Sequence, residues 1–417
     1  MISPFVPASL LLPQVENPSL WACVACDQYT SEPEYWKRAD ARVGGAPSAL
    51  RLVLPELYLS TPEAPALEQE VVRTMEDYLA RGVFREVTDS FVLLSRTLRN
   101  GAVRRGLVGM LDLECYDYAA GSLPPVRATE GTVLSRIPPR LRIRAEAPLE
   151  LPHVLLLMDD PEDGVLSLAE SLAGEALYDF DLAENSGHVL GRRIAGENAA
   201  ALVQKIDALA EPSRINALYG LPAQSVMHLA VGDGNHSLAT AKAHYEKLKA
   251  ELGEAALSSP ARYALCELVN LRESSLVFEP IHRVLFDCDP AQILREFAAF
   301  CGARPGRSSG QSLRIVAEGE ATDYTIPNPT EPLCVGSVQA FLDSVLARGD
   351  ARVDYIHGDE VVRSLCRAPR TLGFLLPPMG KEELFPAVAL RGVLPRKTFS
   401  MGEACDKRFY IEARKIR

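Results

Sequence analysis

No stretch of this 417-residue chain reaches the roughly 20 consecutive apolar residues that a membrane-spanning helix needs, so a transmembrane role is not expected. Positive charge is in deficit. Lys and Arg number 44 against 55 Asp and Glu, leaving a net charge of −11. That sign argues against a broad nucleic-acid surface, which works by neutralising phosphates with a basic face. It leaves room for a local anion pocket. The nine cysteines are odd in number and scattered. They read as the reduced thiols of a cytoplasmic protein, not as a disulfide framework. The opening run Met1-Ile-Ser-Pro-Phe-Val-Pro7 has no basic n-region and is broken by prolines, so a secretory signal is not expected. There is no internal repeat and no low-complexity linker.

What is present is an ordinary globular composition, 47% hydrophobic and 24% charged. The length implies two or three domains. Helical and extended patterns alternate along the whole chain, which places it in the mixed α/β class. We divide it into an N-terminal α/β region (1–122), a motif-bearing nucleotide/phosphate region (123–285) and a C-terminal α/β region (286–417). Ser60-Thr61-Pro62 opens a helix through Ala80 that Gly82 stops. Runs Val83–Leu98 and Ala102–Tyr118 flank Arg99-Asn100-Gly101, a hairpin signal. Residues 123–150, rich in proline and arginine, read as an ordered loop or lid. Pro152–Met158 reads as a buried strand, and Glu197–Leu209 as a helix.

The densest chemistry lies in Ala230-Val-Gly-Asp233-Gly234-Asn235-His236-Ser237. It follows an apolar run, Ser225–Leu229, and precedes a helical stretch, Leu238–Leu252, that Gly253 closes. A strand, a glycine turn and a helix start present free backbone N–H groups that hold phosphates. The glycines allow a tight turn and close approach of a ligand. The segment is neither a P-loop nor a dinucleotide fingerprint. Its plain alternative is a helix N-cap, with Asn235 or Ser237 accepting the first amides and His236 as a local hydrogen bonder.

Other candidates carry stronger structural readings. Cys23-Val-Ala-Cys26 has redox spacing but apolar neighbours, and no second pair completes a zinc site. Asp159-Asp-Pro-Glu-Asp-Gly164 reads as a solvated turn, because Pro161 spoils a calcium loop. Gly106 and Gly109 read as structural. His282-Arg283 interrupts an apolar strand, where an anion contact and a structural salt bridge are equally good explanations. From Arg391 the tail holds eight basic residues, among them Arg396, Lys397, Lys407 and Arg408, against three acidic ones. A solvated face is the default there, and a role over an anionic ligand the alternative.

Several segments together resemble the domain of unknown function 1015 family, related at fold level to the ParB/sulfiredoxin superfamily. They are Ala25-Cys-Asp27-Gln28-Tyr29-Thr30-Ser31-Glu-Pro-Glu-Tyr-Trp36, Pro47–Glu56, Arg127-Ala-Thr-Glu130-Gly-Thr132, Asp233–Ser237, Pro280-Ile-His282-Arg283 and Leu394–Glu403. The usual central pattern, Asp-Gly-His-His-Arg, is here Asp233-Gly234-Asn235-His236-Ser237. The arginine's charge is therefore left to Arg127, Arg283 or Arg396. The wording is closest to free serine kinases. The resemblance implies a small-molecule kinase with a nucleotide (ATP or ADP) and Mg²⁺. Its catalytic residues would be Glu130, Asp233 and His236, with Glu130 as base and Asp233 as the alternative. Gly234, Asn235, Ser237, Arg127, His282 and Arg283 would bind phosphate or nucleotide, and Asp233 would hold the metal. The substrate would be a small hydroxyl metabolite such as free serine. The competing implication is a regulatory nucleotide-binding protein without turnover, of the ParB kind, and after that a nuclease-like or structural remnant. The partners implied are a small-molecule substrate and, at most, a second copy of the chain, with no membrane.

Overall fold

The computed structural model describes residues 3–26, 29, 32–59, 61–119, 121–151, 154–220, 227–349, 351–402 and 404–417. Asp27, Gln28, Thr30, Ser31, Ser60, Pro152, His153, Ser225 and Val226 of the sequence reading lie outside them. The fold is mixed α/β. It divides into two compact units, Met1–Leu276 with Glu403–Arg417, and Val277–Gly402. The sequence reading drew three regions with its last boundary at 285. The structure changes unit at 277 and returns the tail to the first unit.

The first unit contains β1 (Phe5–Val6), β2 (Ala8–Pro13), β3 (Phe84–Thr97), β4 (Val103–Asp112), β5 (Tyr116–Asp117), β6 (Val126–Ala128), β7 (Leu149–Glu150), β8 (Leu155–Met158), β9 (Ala176–Asp181), β10 (His188–Ala195), β11 (Leu229–Asp233) and β12 (Tyr263–Asn270). The main sheet runs β5-β6-β11-β8-β12-β4-β3-β10-β9, with β1 on β4 and β2 on β3. The pairs β5/β6, β6/β11 and β8/β12 are parallel. The Asn100-Gly101 hairpin forms between β3 and β4, with Thr97 opposite Val103 and Gly101 at a φ of 84°. Alternate residues of β3 enter two different cores. Val92 and Leu94 pack with Trp21 and Leu50, whereas Phe91 and Leu93 pack with Leu156 and Val231. The sheet is thus covered on both faces, which is why its central strands read as nearly continuous apolar runs.

Three expectations change, and the structural reading of Cys23 and Cys26 holds. Residues 123–150 are not a loop: they contain β6 and a helix, Ile137–Glu146. Pro138 and Pro139 sit in that helix's first turn, where a missing N–H costs nothing. Its arginines pair with acidic residues of other elements, Arg140 with Glu56, Arg142 with Glu68 at 2.7 Å and Arg144 with Glu150 at 2.6 Å. The acidic turn at 159–164 is not solvated at its start. Asp159 is buried and accepts from Arg272 Nε (2.6 Å) and Nη2 (2.9 Å), and Asp160 Oδ2 accepts from the Val165 amide at 2.8 Å. Cys23 and Cys26 are buried rather than exposed for redox exchange, and burial, opposed by Arg42, pushes the Cys23 thiol up to about 12. Finally, the basic tail is a solvated face only in part, with Arg396, Lys415 and Arg417 exposed. Lys407, Arg408 and Arg414 are buried, and β20 (Arg414–Lys415) pairs with β7.

The tail closes over a buried ionic cluster. Arg408 Nε lies 3.1 Å from Glu267 Oε2, without the alignment of a hydrogen bond, and Nη2 donates to Glu412 at 2.7 Å. Arg104 Nε is 3.9 Å from Glu267 Oε1. Glu267 is fully buried and rests on Gly106, where a Cβ would stand 2.3 Å from its Oε1. Gly106 is glycine because the carboxylate occupies the space of a side chain.

His244, on the helix Asn235–Leu252, gives a pH prediction. Burial first, then the positive charges of Arg144, Arg417 and Lys247, pushes its pKa down to about 4. Below pH 6.5 the unfolded chain takes a proton that the native imidazole refuses. Its contribution is therefore complete above 6.5 and is lost as the pH falls toward 4. By pH 4.5 the loss reaches about 2 kcal/mol. The stability difference between wild type and His244→Phe, read from urea midpoints at pH 7 and 4.5, is expected to move in favour of the variant by that amount. Parallel curves would contradict it.

The second unit has strands β13 (Phe278–Phe286), β14 (Arg304–Pro305), β15 (Gln311–Ala317), β16 (Glu320–Ile326), β17 (Arg352–His357), β18 (Leu372–Leu375) and β19 (Phe399–Met401). They order as β14-β16-β15-β18-β13-β17, with β19 on β13. Val284, Val316, Val362, Cys366 and Leu375 form one of its cores. No helix among the described residues is long and apolar enough to cross a membrane.

Candidate functional site

Strands β6 and β11 run parallel, so their carboxyl ends reach the same edge of the sheet. In open α/β sheets that edge is where ligands bind. Ala128 pairs with Val231, and the buried Thr129 hydroxyl donates to the Val231 carbonyl at 2.6 Å. Asp233 is the last residue of β11, and Glu130 follows β6 by two residues. Beside β8, β11 shifts register between Val231 and Asp233, a bulge that re-aims the chain at its last residue.

Gly234 then turns the chain at φ 81°, ψ 25°, a left-handed conformation suited to glycine. The helix starts at Asn235, and no side chain caps it. The first amide bonded within it is that of Leu238, to the Gly234 carbonyl at 3.0 Å. The amides of Asn235, His236 and Ser237 precede it, at the end of the helix where partial positive charge collects. The N-cap alternative of the sequence reading required Asn235 or Ser237 to accept these amides, and neither serves as cap. Asn235 Oδ1 and Thr132 Oγ1 are instead buried without hydrogen-bond partners among the described residues. Orphaned polar atoms of this kind mark a place for a ligand or an ordered water.

Asp233 Oδ1 accepts from the Gly234 amide at 2.9 Å, and Oδ2 lies 3.0 Å from Lys407 Nζ. His236 Nε2 accepts from the Val133 amide at 3.3 Å. An accepting Nε2 leaves the ring proton on Nδ1, and the bond ties the loop after Glu130 to the motif helix. Arg127, on β6, is buried and donates to the Pro124 carbonyl at 3.1 Å, and desolvation lowers its pKa. Ser237 and Thr240 border a cavity of about 190 Å³ whose wall also includes Leu54, Met75, Arg140 and Arg144.

The structure thus gathers Asp233, Gly234, Asn235, His236 and Ser237 around one turn, and the bond from the Val133 amide to His236 brings the segment after Glu130 against it. His282 and Arg283 belong to the other unit and serve its interior. Arg283 is fully buried, donates to the carbonyls of Ile281, Lys397 (2.9 Å) and Arg396 (3.0 Å), and lies over the Tyr355 ring. His282 Nδ1 accepts from the Leu376 amide at 3.1 Å, and Nε2 is 2.9 Å from Asp359 Oδ1. Of the two explanations the sequence left open for this pair, internal pairing is the one seen.

A nucleotide's phosphates fit the donor-rich turn. Mg²⁺ that arrives with a nucleotide takes one or two carboxylates with phosphate oxygens and water, and Asp233 is the carboxylate at this turn. Asp233 already faces an ammonium, and among the described residues no three His, Cys, Asp or Glu side chains converge on a metal position. The residue that sequence reasoning left unassigned is Lys407, whose only signal was membership of the basic tail.

Residues 7–345 match the family described as a protein of unknown function, DUF1015, and the chain belongs to that family. No curated protein matches the chain. Among solved structures, the chain is similar to a free serine kinase in complex with AMP at 12% identity and TM-score 0.39, covering 74% of this chain and 90% of that one. It is similar to a conserved hypothetical protein from Pyrococcus furiosus at 10% identity and TM-score 0.36, covering 74% and 94%. SbnI from Staphylococcus aureus, with a C-terminal truncation, is 9% identical with TM-score 0.38, covering 73% and 85%.

Proposed function

We propose that this member of the DUF1015 family is a nucleotide-dependent phosphotransferase acting on a small hydroxyl metabolite such as free serine. The observation that carries the reading is the uncapped first turn at Gly234–Ser237, with Asp233 at the end of β11 and the parallel β6 beside it leading to Glu130 two residues on. Phosphoryl transfer asks chiefly for positioning and charge stabilisation. The amides of Asn235, His236 and Ser237 would receive the transferring phosphoryl group, and the Thr132 hydroxyl would donate to one of its oxygens. Glu130 would take the proton of the acceptor hydroxyl as that oxygen forms its bond to phosphorus and the bond to the departing nucleotide breaks. Asp233 holds the turn through the Gly234 amide and orients the acceptor.

Glu130→Gln is expected to lower turnover about 10²–10⁴-fold, the usual worth of a general base, while ADP binding and melting temperature stay near wild type. Asp233→Asn is expected to abolish turnover with the fold intact. The assay is nucleotide consumption and phosphoserine formation with ATP or ADP as donor. In thermal-shift measurements a nucleotide at ~100 times its dissociation constant adds about 2.7 kcal/mol, a rise of several degrees at this size.

A second reading has its own support. Asp233 is engaged by Lys407, and Ser237 stands at the family's arginine position. Both suit a site that binds a nucleotide without turning it over. Saturable nucleotide binding with no phosphorylated product from a panel of hydroxyl metabolites would select this regulatory reading.

A further inference from the structure

The geometry points to Lys407 as the phosphate-neutralising cation of this site, delivered by a C-terminal strap that buried arginines hold in place. The inference rests on the phosphate-binding reading of Gly234–Ser237. It goes beyond it by naming a contact residue outside residues 7–345, the span that matches the family.

The first helical turn offers Asn235, His236 and Ser237, with neither lysine nor arginine. A helix N-terminus supplies only about half a positive charge, little against a terminal phosphate. Lys407 Nζ stands 3.0 Å from Asp233 Oδ2, one residue from the turn glycine. Its side chain is only 10% exposed, so its field there is less screened than at the surface.

The lysine is not placed by chance rotation of a tail. Arg96, on β3, donates from Nη2 to the Cys405 carbonyl at 2.8 Å and from Nη1 to the Lys407 carbonyl at 3.2 Å. Arg104, on β4, donates to the Asp406 carbonyl at 2.8 Å. Both arginines are buried. Three successive carbonyls are therefore gripped from the sheet, and Arg408 anchors the next residue on Glu267 and Glu412. Arg96 and Arg104 are positioning residues, since they act through the strap and touch no ligand.

An ammonium carries three donors. It can keep its bond to Asp233 and give another to a phosphate oxygen, so the carboxylate that holds the acceptor and the phosphate that leaves the donor share one cation. The arrangement supplies the charge that the family's arginine would bring at position 237.

The test is isothermal titration of ADP, with adenosine as the phosphate-free control, into wild type, Lys407→Met and Lys407→Arg, with melting temperatures recorded for each. Lys407→Met is expected to weaken ADP binding at least tenfold and leave adenosine binding unchanged. Lys407→Arg, which keeps the charge, should recover most of the loss. ADP affinity within twofold of wild type in Lys407→Met, with only the melting temperature lowered, would show a purely structural ion pair and overturn the inference while the phosphate reading stands. If wild type binds no ADP, both fall together. If Lys407→Met does not fold, Lys407→Arg decides by titration with ADP at rising salt. A charge contact keeps its salt dependence in this variant, and equal affinity at 50 and 500 mM salt in both proteins would overturn the proposal.

Discussion

Replacing Glu267 by glutamine is expected to cost about 3–5 kcal/mol of stability, because it removes the shared carboxylate between two buried arginines. Breaking a buried pair leaves an uncompensated charge, and that penalty is far larger than the net worth of the pair. The side chain is fully buried between Arg104 and Arg408. Burial alone would lower the Arg408 pKa, yet Glu412 and Glu267 together hold it above its ordinary value. Glutamine keeps the volume over Gly106, so the change isolates charge from packing. At 2–4 °C per kcal/mol for a large domain, the melting temperature should fall by roughly 10 °C. A melting temperature within 2 °C of wild type would show that the cluster is neutral or hydrated in the folded protein. The same substitution loosens the strap at Arg408, so ADP binding should weaken in parallel.

Gly234→Val should damage the fold and the site together. Gly234 has φ 81°, and a Cβ there would stand 3.0 Å from Val154 Cα and 3.1 Å from its Cγ2. A β-branched residue in the left-handed region costs on the order of 1–2 kcal/mol. Relieving the contact with the Val154 backbone adds about 1–3 kcal/mol of overpacking. Relief comes only by moving the turn, which carries the amides of Asn235, His236 and Ser237 off their positions. A displacement of about 1 Å is worth as much as 10² in a positioned reaction, so turnover is expected to fall up to about 100-fold and ADP binding to weaken with it. Gly234→Ala should show the same effects in weaker form. ADP bound as tightly by the valine variant as by wild type would place the phosphate elsewhere.

What could be read from the sequence was local. The β3–β4 hairpin was legible because Asn100-Gly101 supplies the turn and the flanking residues alternate between two cores. The order strand, turn, helix was legible because apolar run, glycine and helix follow one another, but the strand lies at Leu229–Asp233 rather than Ser225–Leu229 and the helix starts at Asn235 rather than Leu238. The helix Ile137–Glu146 was hidden because it buries only Ile137 fully and is held by ion pairs to Glu56, Glu68 and Glu150, so no apolar stripe marks it. The oddity of His282-Arg283 was visible, but the partners that explain it, Asp359, Arg396 and Lys397, come from remote segments of the second unit. Lys407 was the largest omission. Its meeting with Asp233 depends on the chain leaving the first unit at 277 and returning after 402, and no local pattern encodes a return.

The most direct measurement is the response of backbone amide resonances to ADP in isotope-labelled full-length protein. If the phosphate sits on the first turn, the amides of Asn235, His236 and Ser237 should shift downfield and saturate together with the bulk binding curve, while adenosine leaves them in place. Saturable ADP binding with those three amides unmoved, or shifts as large with adenosine, would contradict the phosphate site at Gly234–Ser237.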